Sequence, residues 1–166
     1  MKNSTIGEKI ILGGAQFGMP YSISKKYNYV NEDLKHEILN FAYKNGINSI
    51  DLAQSYGKSE ELVGNYIKLN NTQEWHIITK TNTVQKKIST VLLESHKRLG
   101  VVPNTILAHK TANYLDKEYC ESLHELKNKG IKKIGVSIYR IDDIKKILKM
   151  IKPDVIQLPL NIIDNK

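Results

Sequence analysis

Short apolar runs recur along this chain and alternate with longer segments whose apolar residues lie three or four positions apart. The short runs are rich in Ile or Val, which is typical of strands buried on both faces of a parallel sheet. The pattern therefore predicts six strands, at Lys9 to Gly13, Asn48 to Leu52, His76 to Thr79, Thr105 to Ala108, Lys132 to Ser137 and Asp154 to Leu158.

Five helices are predicted between these strands, because capping residues and glycine stops bound the longer segments. Asn31 is a suitable N-cap, and Gly46, Gly100 and Gly130 are suitable left-handed stops. Ser59 is expected to cap the second helix, ahead of two acids in its first turn. The predicted helices are Asn31 to Asn45 with Leu34, Ile38, Phe41 and Ala42 inward, a segment from Ser59, Val84 to Leu99, Leu115 to Lys129, and Ile141 to Ile151.

A short internal repeat favours one particular α/β architecture. The motif Gly-Ile-x-x-Ile begins at Gly46 and again at Gly130, each time where a helix leads into a strand. No Gly-x-Gly-x-x-Gly opens a helix, so a βα barrel is favoured over a doubly wound sheet. We expect one domain over residues 1–166, of the α/β class and (β/α)8 TIM-barrel type, incomplete, with about six of eight βα units.

Composition and the absence of certain sequence signals bear on the location and the partners expected for the protein. No apolar run approaches the roughly twenty residues of a membrane helix, no secretory signal is evident, and Cys120 has no second cysteine to pair with. A cytoplasmic location is expected. The net charge of +8 could indicate a nucleic-acid partner, but the lysines are scattered along helix faces and no recognition motif accompanies them, so we expect neither a nucleic-acid nor a membrane partner.

Four polar residues lie at or just past the ends of three successive predicted strands. Asp51 and Tyr56 lie in the tract Ser49 to Gly64, Lys80 follows the third strand and His109 follows the fourth. Parallel α/β folds collect their chemistry at this end of the sheet. Reduction of a carbonyl needs a proton donor and a group that holds the carbonyl, and no side chain can give a hydride, so the set indicates a cofactor-dependent reduction.

The motif Asp-x-Ala, Tyr-Gly-x-Ser-Glu, with a Lys and a His ending the next two strands, resembles the aldo-keto reductase family. The resemblance implies NADPH or NADH as cofactor and a small carbonyl compound as substrate. It also implies catalytic roles for Asp51, Tyr56, Lys80 and His109. Tyr56 would donate the proton, Lys80 would lower the pKa of its phenol, Asp51 would hold Lys80, and His109 would contact the substrate oxygen.

The cofactor contacts expected on this basis are Gly14, Asp51, Ser137 and Gln157, and no metal is expected. Ser137 and Gln157 match family positions at the nicotinamide carboxamide, although Ile138 stands where many members have Asn. Gly14 lies where backbone atoms could face the cofactor, and a tight turn is an equally good interpretation. Each residue alone also has a structural interpretation, such as an Asp51–Lys80 salt bridge or a packed Tyr56.

Length departs most from the family pattern, because a (β/α)8 barrel typically takes about 250 residues and this chain has 166. Two βα units are missing from the prediction, and with them the aromatic that stacks on nicotinamide in the family. The first and last strands would be unpaired edges, through which the chain could self-associate. The main hypothesis is a truncated reductase, and the alternative is a non-catalytic barrel fragment that acts as a partner or scaffold subunit.

Overall fold

A computed structural model of the protein describes residues 6–21, 31–71, 74–82 and 87–161. Its strands form one six-stranded sheet whose order follows the chain from first to last. The strands are β1 (Leu12–Gly13), β2 (Ser49–Asp51), β3 (His76–Thr81), β4 (Thr105–Ala108), β5 (Lys133–Ser137) and β6 (Val155–Gln157). The pairings β1–β2, β2–β3, β4–β5 and β5–β6 are all parallel.

This strand order distinguishes between the two architectures considered from the sequence. A doubly wound sheet reverses its strand order at a switch point, whereas a (β/α)8 barrel adds each strand beside the one before. The order β1 to β6 has no reversal. The predicted α/β fold of the incomplete (β/α)8 type, with six strands, is therefore confirmed.

Helices connect the strands throughout the described segments. They are α1 (Ala15–Gly18), α2 (Glu32–Lys44), α3 (Ser59–Leu69), α4 (Ile88–Leu99), α5 (Thr111–Leu115), α6 (Lys117–Glu125) and α7 (Asp143–Ile147), with 3-10 helices at Gly7–Lys9 and Leu126–Lys129. Within the segments described, none of these helices has both the length and the apolar character needed to cross a membrane.

The chain divides into two compact units, each with its own core. The first unit comprises residues 1–79 and 95–103, and the second comprises residues 80–94 and 104–166. Ile50, Tyr66 and Ile77 are buried in the first core, as are Leu123 and Ile134 in the second. Burying one such side chain contributes roughly 1.5 to 3 kcal/mol, so each core stabilises the strands and helices that supply it.

The predicted helix boundaries hold where a local capping interaction sets them. The Asn31 side chain accepts a hydrogen bond of 2.8 Å from the Leu34 amide and caps α2. Gly46, Gly100 and Gly130 have φ values of 78°, 71° and 94°, in the left-handed region that favours glycine. These local signals were sufficient to place the ends of the helices.

The first strand and the inner face of α2 differ from the prediction. A 3-10 helix ends at Lys9, and the strand is confined to Leu12–Gly13, with Ile11 exposed. Leu34 and Phe41 are exposed on α2, while Leu39 lies at the centre of its buried face.

The helix predicted from Leu115 to Lys129 is interrupted at Asp116. The Asp116 amide bonds to the Asn113 carbonyl at the end of α5, and the Asp116 side chain accepts a hydrogen bond of 2.8 Å from the Tyr119 amide. This residue therefore ends one helix and caps the next. The last helix is also shorter, at Asp143–Ile147, and the predicted start at Val84 lies outside the described residues.

Candidate active site

A cavity of about 910 Å³ opens in the first unit at the carboxyl ends of β1 and β2. It is lined by residues from the ends of β1 and β2, from α1 and from the adjoining loops: Gly13, Gly14, Ala15, Gln16, Pro20, Tyr21, Asp51 and Tyr56. The carboxyl ends of the strands carry the active sites of (β/α)8 enzymes. The structure thus brings together three of the predicted site residues, Gly14, Asp51 and Tyr56, around one cavity.

Asp51 is the last residue of β2 and is held through its backbone on both sides. It pairs in register with Gly13 of β1 and Ile78 of β3. Its carbonyl accepts a hydrogen bond of 2.9 Å from the Gly14 amide. The backbone bonds fix where the carboxylate emerges, which is at the wall of the cavity.

Tyr56 lies in a tight loop between β2 and α3. Its amide donates to the Ala53 carbonyl at 3.0 Å, and its own carbonyl accepts from the Ser59 amide at 3.1 Å. The side chain is half-buried, and its ring centroid lies 6.4 Å from that of Tyr21. The loop therefore presents the phenol to the cavity from a short segment with both ends bonded.

Two glycines let this loop pack directly against the loop after β1. Gly57 has φ 55°, and a Cβ on it would lie 2.3 Å from the Gly18 carbonyl oxygen. A Cβ on Gly18 would lie 1.8 Å from the Tyr56 carbonyl oxygen. Contact at such distances excludes any side chain, so glycine at both positions allows the backbone of the Tyr56 loop to lie directly against the loop after β1.

Ser59 differs from its predicted role as a helix cap. It is the first residue of α3 and fully buried, and its hydroxyl donates a hydrogen bond of 2.7 Å to the Gly14 carbonyl. Lys58 takes the N-cap position without a side-chain bond. The serine of the Tyr-Gly-x-Ser-Glu motif thus ties the Tyr56 loop to the β1 loop.

Glu60 is a buried anchor that the sequence did not reveal. Its side chain is only 2% exposed, although the motif suggested simply an acid in the first turn of a helix. One carboxylate oxygen, Oε1, accepts from the Thr79 hydroxyl at 2.7 Å and the Ser95 hydroxyl at 2.9 Å, and Oε2 accepts from Arg98 Nε at 2.6 Å. A buried carboxylate needs such partners, so this network fixes the start of α3 against β3 and α4.

Lys80 and His109 belong to the second unit. Lys80 is 2% exposed and precedes Thr81, the last residue of β3. The Thr81 carbonyl accepts one hydrogen bond of 2.8 Å from the His109 amide and another of 3.0 Å from the Tyr119 hydroxyl. Burial raises the pKa of Tyr119 to about 12, against opposing contributions from Thr81 and Asn113, so its phenol remains a donor near neutral pH.

Ser137 and Gln157 are register partners at the ends of β5 and β6. Ser137 is buried, and the buried Gln157 Oε1 has no hydrogen-bond partner among the described residues. An unpaired buried acceptor is costly unless a ligand or water supplies a donor. The primary amide of a nicotinamide is a donor of the kind that this oxygen lacks, so the pair fits the predicted cofactor.

A second polar cluster in the second unit joins α5, α6 and the segment after α7. The Tyr114 hydroxyl donates to the Ile151 carbonyl at 2.8 Å and lies 2.7 Å from His124 Nε2. Burial lowers the pKa of His124, and Lys127 lowers it further, against an opposing effect of Asp154. Burial raises the pKa of the Cys120 thiol, which makes it a poor nucleophile. Among the described residues, no group of His, Cys, Asp and Glu is arranged to hold a metal ion.

The model of the Aldo/keto reductase family matches residues 9–166 of this chain. Among solved structures, a Pseudomonas aeruginosa protein provisionally described as an aldo-keto reductase superposes with a TM-score of 0.77 at 24% identity, over 92% of this chain and 63% of that one. The glycerol dehydrogenase of Gluconobacter oxydans gives 0.71 at 24% identity, over 93% and 52%.

An aldo-keto reductase from Bacillus halodurans, solved in its apo form, superposes with a TM-score of 0.62 at 26% identity, over 79% of this chain and 47% of that one. No curated protein sequence matched. This chain therefore spans between about half and just under two thirds of the length of the solved proteins it resembles.

Proposed function

Because this chain belongs to the aldo/keto reductase family, we propose that it takes part in the NAD(P)H-dependent reduction of an aldehyde or ketone to an alcohol. The observation that carries the proposal is the cavity in which Asp51 and the Tyr56 phenol stand at the carboxyl ends of the first two strands. A phenol at the edge of an open cavity of this size can reach the oxygen of a small carbonyl compound.

In this proposal Tyr56 protonates the carbonyl oxygen as the alkoxide develops. An ordinary tyrosine has a pKa of about 10 and gives up its proton reluctantly near neutrality, so a neighbouring cation must stabilise the phenolate. We assign that role to Lys80, and we assign Asp51 as the partner of the Lys80 ammonium. His109 would donate a hydrogen bond to the substrate oxygen and hold the carbonyl in line.

The residues proposed to hold the cofactor are Gly14, Asp51, Ser137 and Gln157. Gln157 Oε1 would accept from the carboxamide nitrogen, the Ser137 hydroxyl would bond to the same group, and the backbone of Gly14 would border it. When bound, the nicotinamide supplies the hydride. Ile138 supplies no polar group where many family members have Asn, so we expect one hydrogen bond fewer at the carboxamide.

The test is to measure NADPH and NADH binding by calorimetry and then the aldehyde-dependent oxidation of the bound nucleotide, with glyceraldehyde as a simple substrate. Tyr56→Phe should lower kcat by about 100-fold or more, with the cofactor Kd within about twofold, because it removes only the transferred proton. Tyr139→Phe is the matched control, since Tyr139 is exposed and lies outside the cavity.

The same measurements should be made on a version of the protein extended by two βα units. If only the extended version binds the nucleotide, the cofactor pocket needs those units and the assignment of the site residues stands. Binding of neither nucleotide by the extended protein would contradict the proposal. So would full activity of Tyr56→Phe.

A second candidate function is suggested by apolar side chains beside the outermost strands. Ile10 and Ile11 are exposed before β1, and Leu158 and Leu160 are exposed after β6. Unpaired strand edges with apolar neighbours are prone to pair with another chain. On this view the chain is a non-catalytic subunit that completes its sheet with a second polypeptide. Sedimentation of the purified protein tests it: a folded monomer at micromolar concentration would speak against this function.

A further inference from the structure

Ser95 of α4 connects the two flanks of the segment that carries Tyr56. Its hydroxyl accepts a hydrogen bond of 2.8 Å from Gln54 Nε2 and donates one of 2.9 Å to Glu60 Oε1. Gln54 precedes Tyr56 by two residues and Glu60 follows it by four. One buried hydroxyl, 1% exposed, therefore joins both sides of the loop.

The geometry gives this connection a direction. A serine hydroxyl has one proton and two acceptor sites, and here the proton goes to the carboxylate, which leaves the lone pairs for the Gln54 amide. Glu60 is itself fixed by Thr79 of β3 and Arg98 of α4. The hydrogen-bond network is therefore fixed at β3 and α4, and through Ser95 it restrains the loop that carries Tyr56.

We infer that Ser95 is a positioning residue for Tyr56, acting through Gln54 and Glu60. The inference rests on the proposed role of Tyr56 as the proton donor. Proton transfer requires the phenol within hydrogen-bond distance of the substrate oxygen, and a displacement of about 1 Å can cost on the order of 100-fold in rate. Ser95 touches neither substrate nor cofactor in this scheme, and its effect is on the geometry of the loop.

The experiment uses the 166-residue protein labelled with ¹³C at the tyrosine ζ carbon, with the Tyr56 signal assigned by its loss in Tyr56→Phe. In Ser95→Ala we expect the Tyr56 resonance to shift and broaden, and the resonance of Tyr66, buried in the same core, to stay in place. Ser89→Ala is the matched control, since it makes the same chemical change on the same helix at a position without a hydrogen bond to Gln54 or Glu60.

Gln54→Met provides a second, milder variant, because it removes the amide donor to Ser95 and leaves the Glu60 bonds intact. We expect the Tyr56 signal to change here as well. An unchanged Tyr56 signal in either folded variant would overturn the inference, as would an equal change in Ser89→Ala.

Catalytic measurements separate this inference from the proposed reaction. If the wild type reduces glyceraldehyde, Ser95→Ala should lower kcat by about tenfold or more and leave KM within about twofold. An increase in KM with kcat unchanged would overturn the positioning role. If neither the wild type nor the version extended by two βα units binds a nucleotide or shows turnover, but the Tyr56 signal still responds to Ser95→Ala, the reductase proposal fails and the restraint of Tyr56 by Ser95 is supported.

Discussion

Replacement of Glu60 by Gln should destabilise the first unit because it removes one specific interaction, the ion pair with Arg98. The carbonyl oxygen of glutamine can occupy the place of Oε1 and keep both hydroxyl bonds, from Thr79 and Ser95. Its amide nitrogen then takes the place of Oε2 and faces Arg98 Nε, so that two donors oppose each other. The substitution therefore removes the ion pair and leaves the packing in place.

The size of the effect follows from the partners. A hydrogen bond to a charged group contributes about 1.5 to 3 kcal/mol, and the lower half of that range applies because Arg98 is 33% exposed and can turn to water. We expect a loss of about 2 kcal/mol in the free energy of unfolding. With a urea dependence of about 2 kcal/mol per molar, the midpoint should fall by about 1 M.

Fluorescence of Trp75 is the appropriate measurement, because the chain has one tryptophan and it is buried in the core of the first unit. Glu61→Gln is the control: it lies next in the chain, is exposed, and should change stability by less than about 0.5 kcal/mol. Equal midpoints for Glu60→Gln and Glu61→Gln would show that the Glu60 carboxylate does not anchor the start of α3.

Two further predictions concern pH and backbone contact. The pKa of His124 is lowered in the folded protein, so below the unfolded value of about 6.5 the unfolded chain binds more protons and the free energy of unfolding falls as the pH drops. His124→Gln should therefore lose less stability than the wild type between about pH 7.5 and pH 5, measured by urea unfolding followed by circular dichroism. An identical pH profile for the two proteins would refute this. Gly64→Ala should cost about 2 kcal/mol or more, although alanine favours helices, because its Cβ would lie 2.2 Å from the Arg98 carbonyl oxygen. Gly130→Ala, with φ 94° and open space, should cost about 1 kcal/mol, and the reverse ranking in thermal unfolding would contradict the packing argument.

The sequence predicted those parts of the fold that depend on neighbouring residues. Asn31 and Gly46 bound α2 because a side chain and a left-handed turn act within one helical turn. The strands were found because their apolar runs are buried along most of their length, as in β4, where every residue is buried. The Asp116 break was missed, although an Asp followed by Lys and Glu is a recognisable capping signal.

The parts that the sequence did not predict depend on partners distant in the chain. Ser59 bonds to Gly14, forty-five residues away, and this contact displaces it from the cap that its residue type suggested. The predicted position of Glu60 in the first turn of α3 is confirmed, but its burial depends on Ser95 and Arg98, which follow it by more than thirty residues. No local pattern carries that information, because it arises only when α4 packs in place.

The backbone contact between Gly18 and Gly57 has a consequence for how substrate range can change in evolution or in directed mutagenesis. The two loops meet at these glycines without an intervening side chain, so a larger residue at either glycine would displace Tyr56. If the chain is a reductase as proposed, libraries aimed at new substrates should leave Gly18 and Gly57 invariant and diversify the exposed rim of the cavity at Pro20, which alters what enters the cavity but not the position of the proposed proton donor, Tyr56.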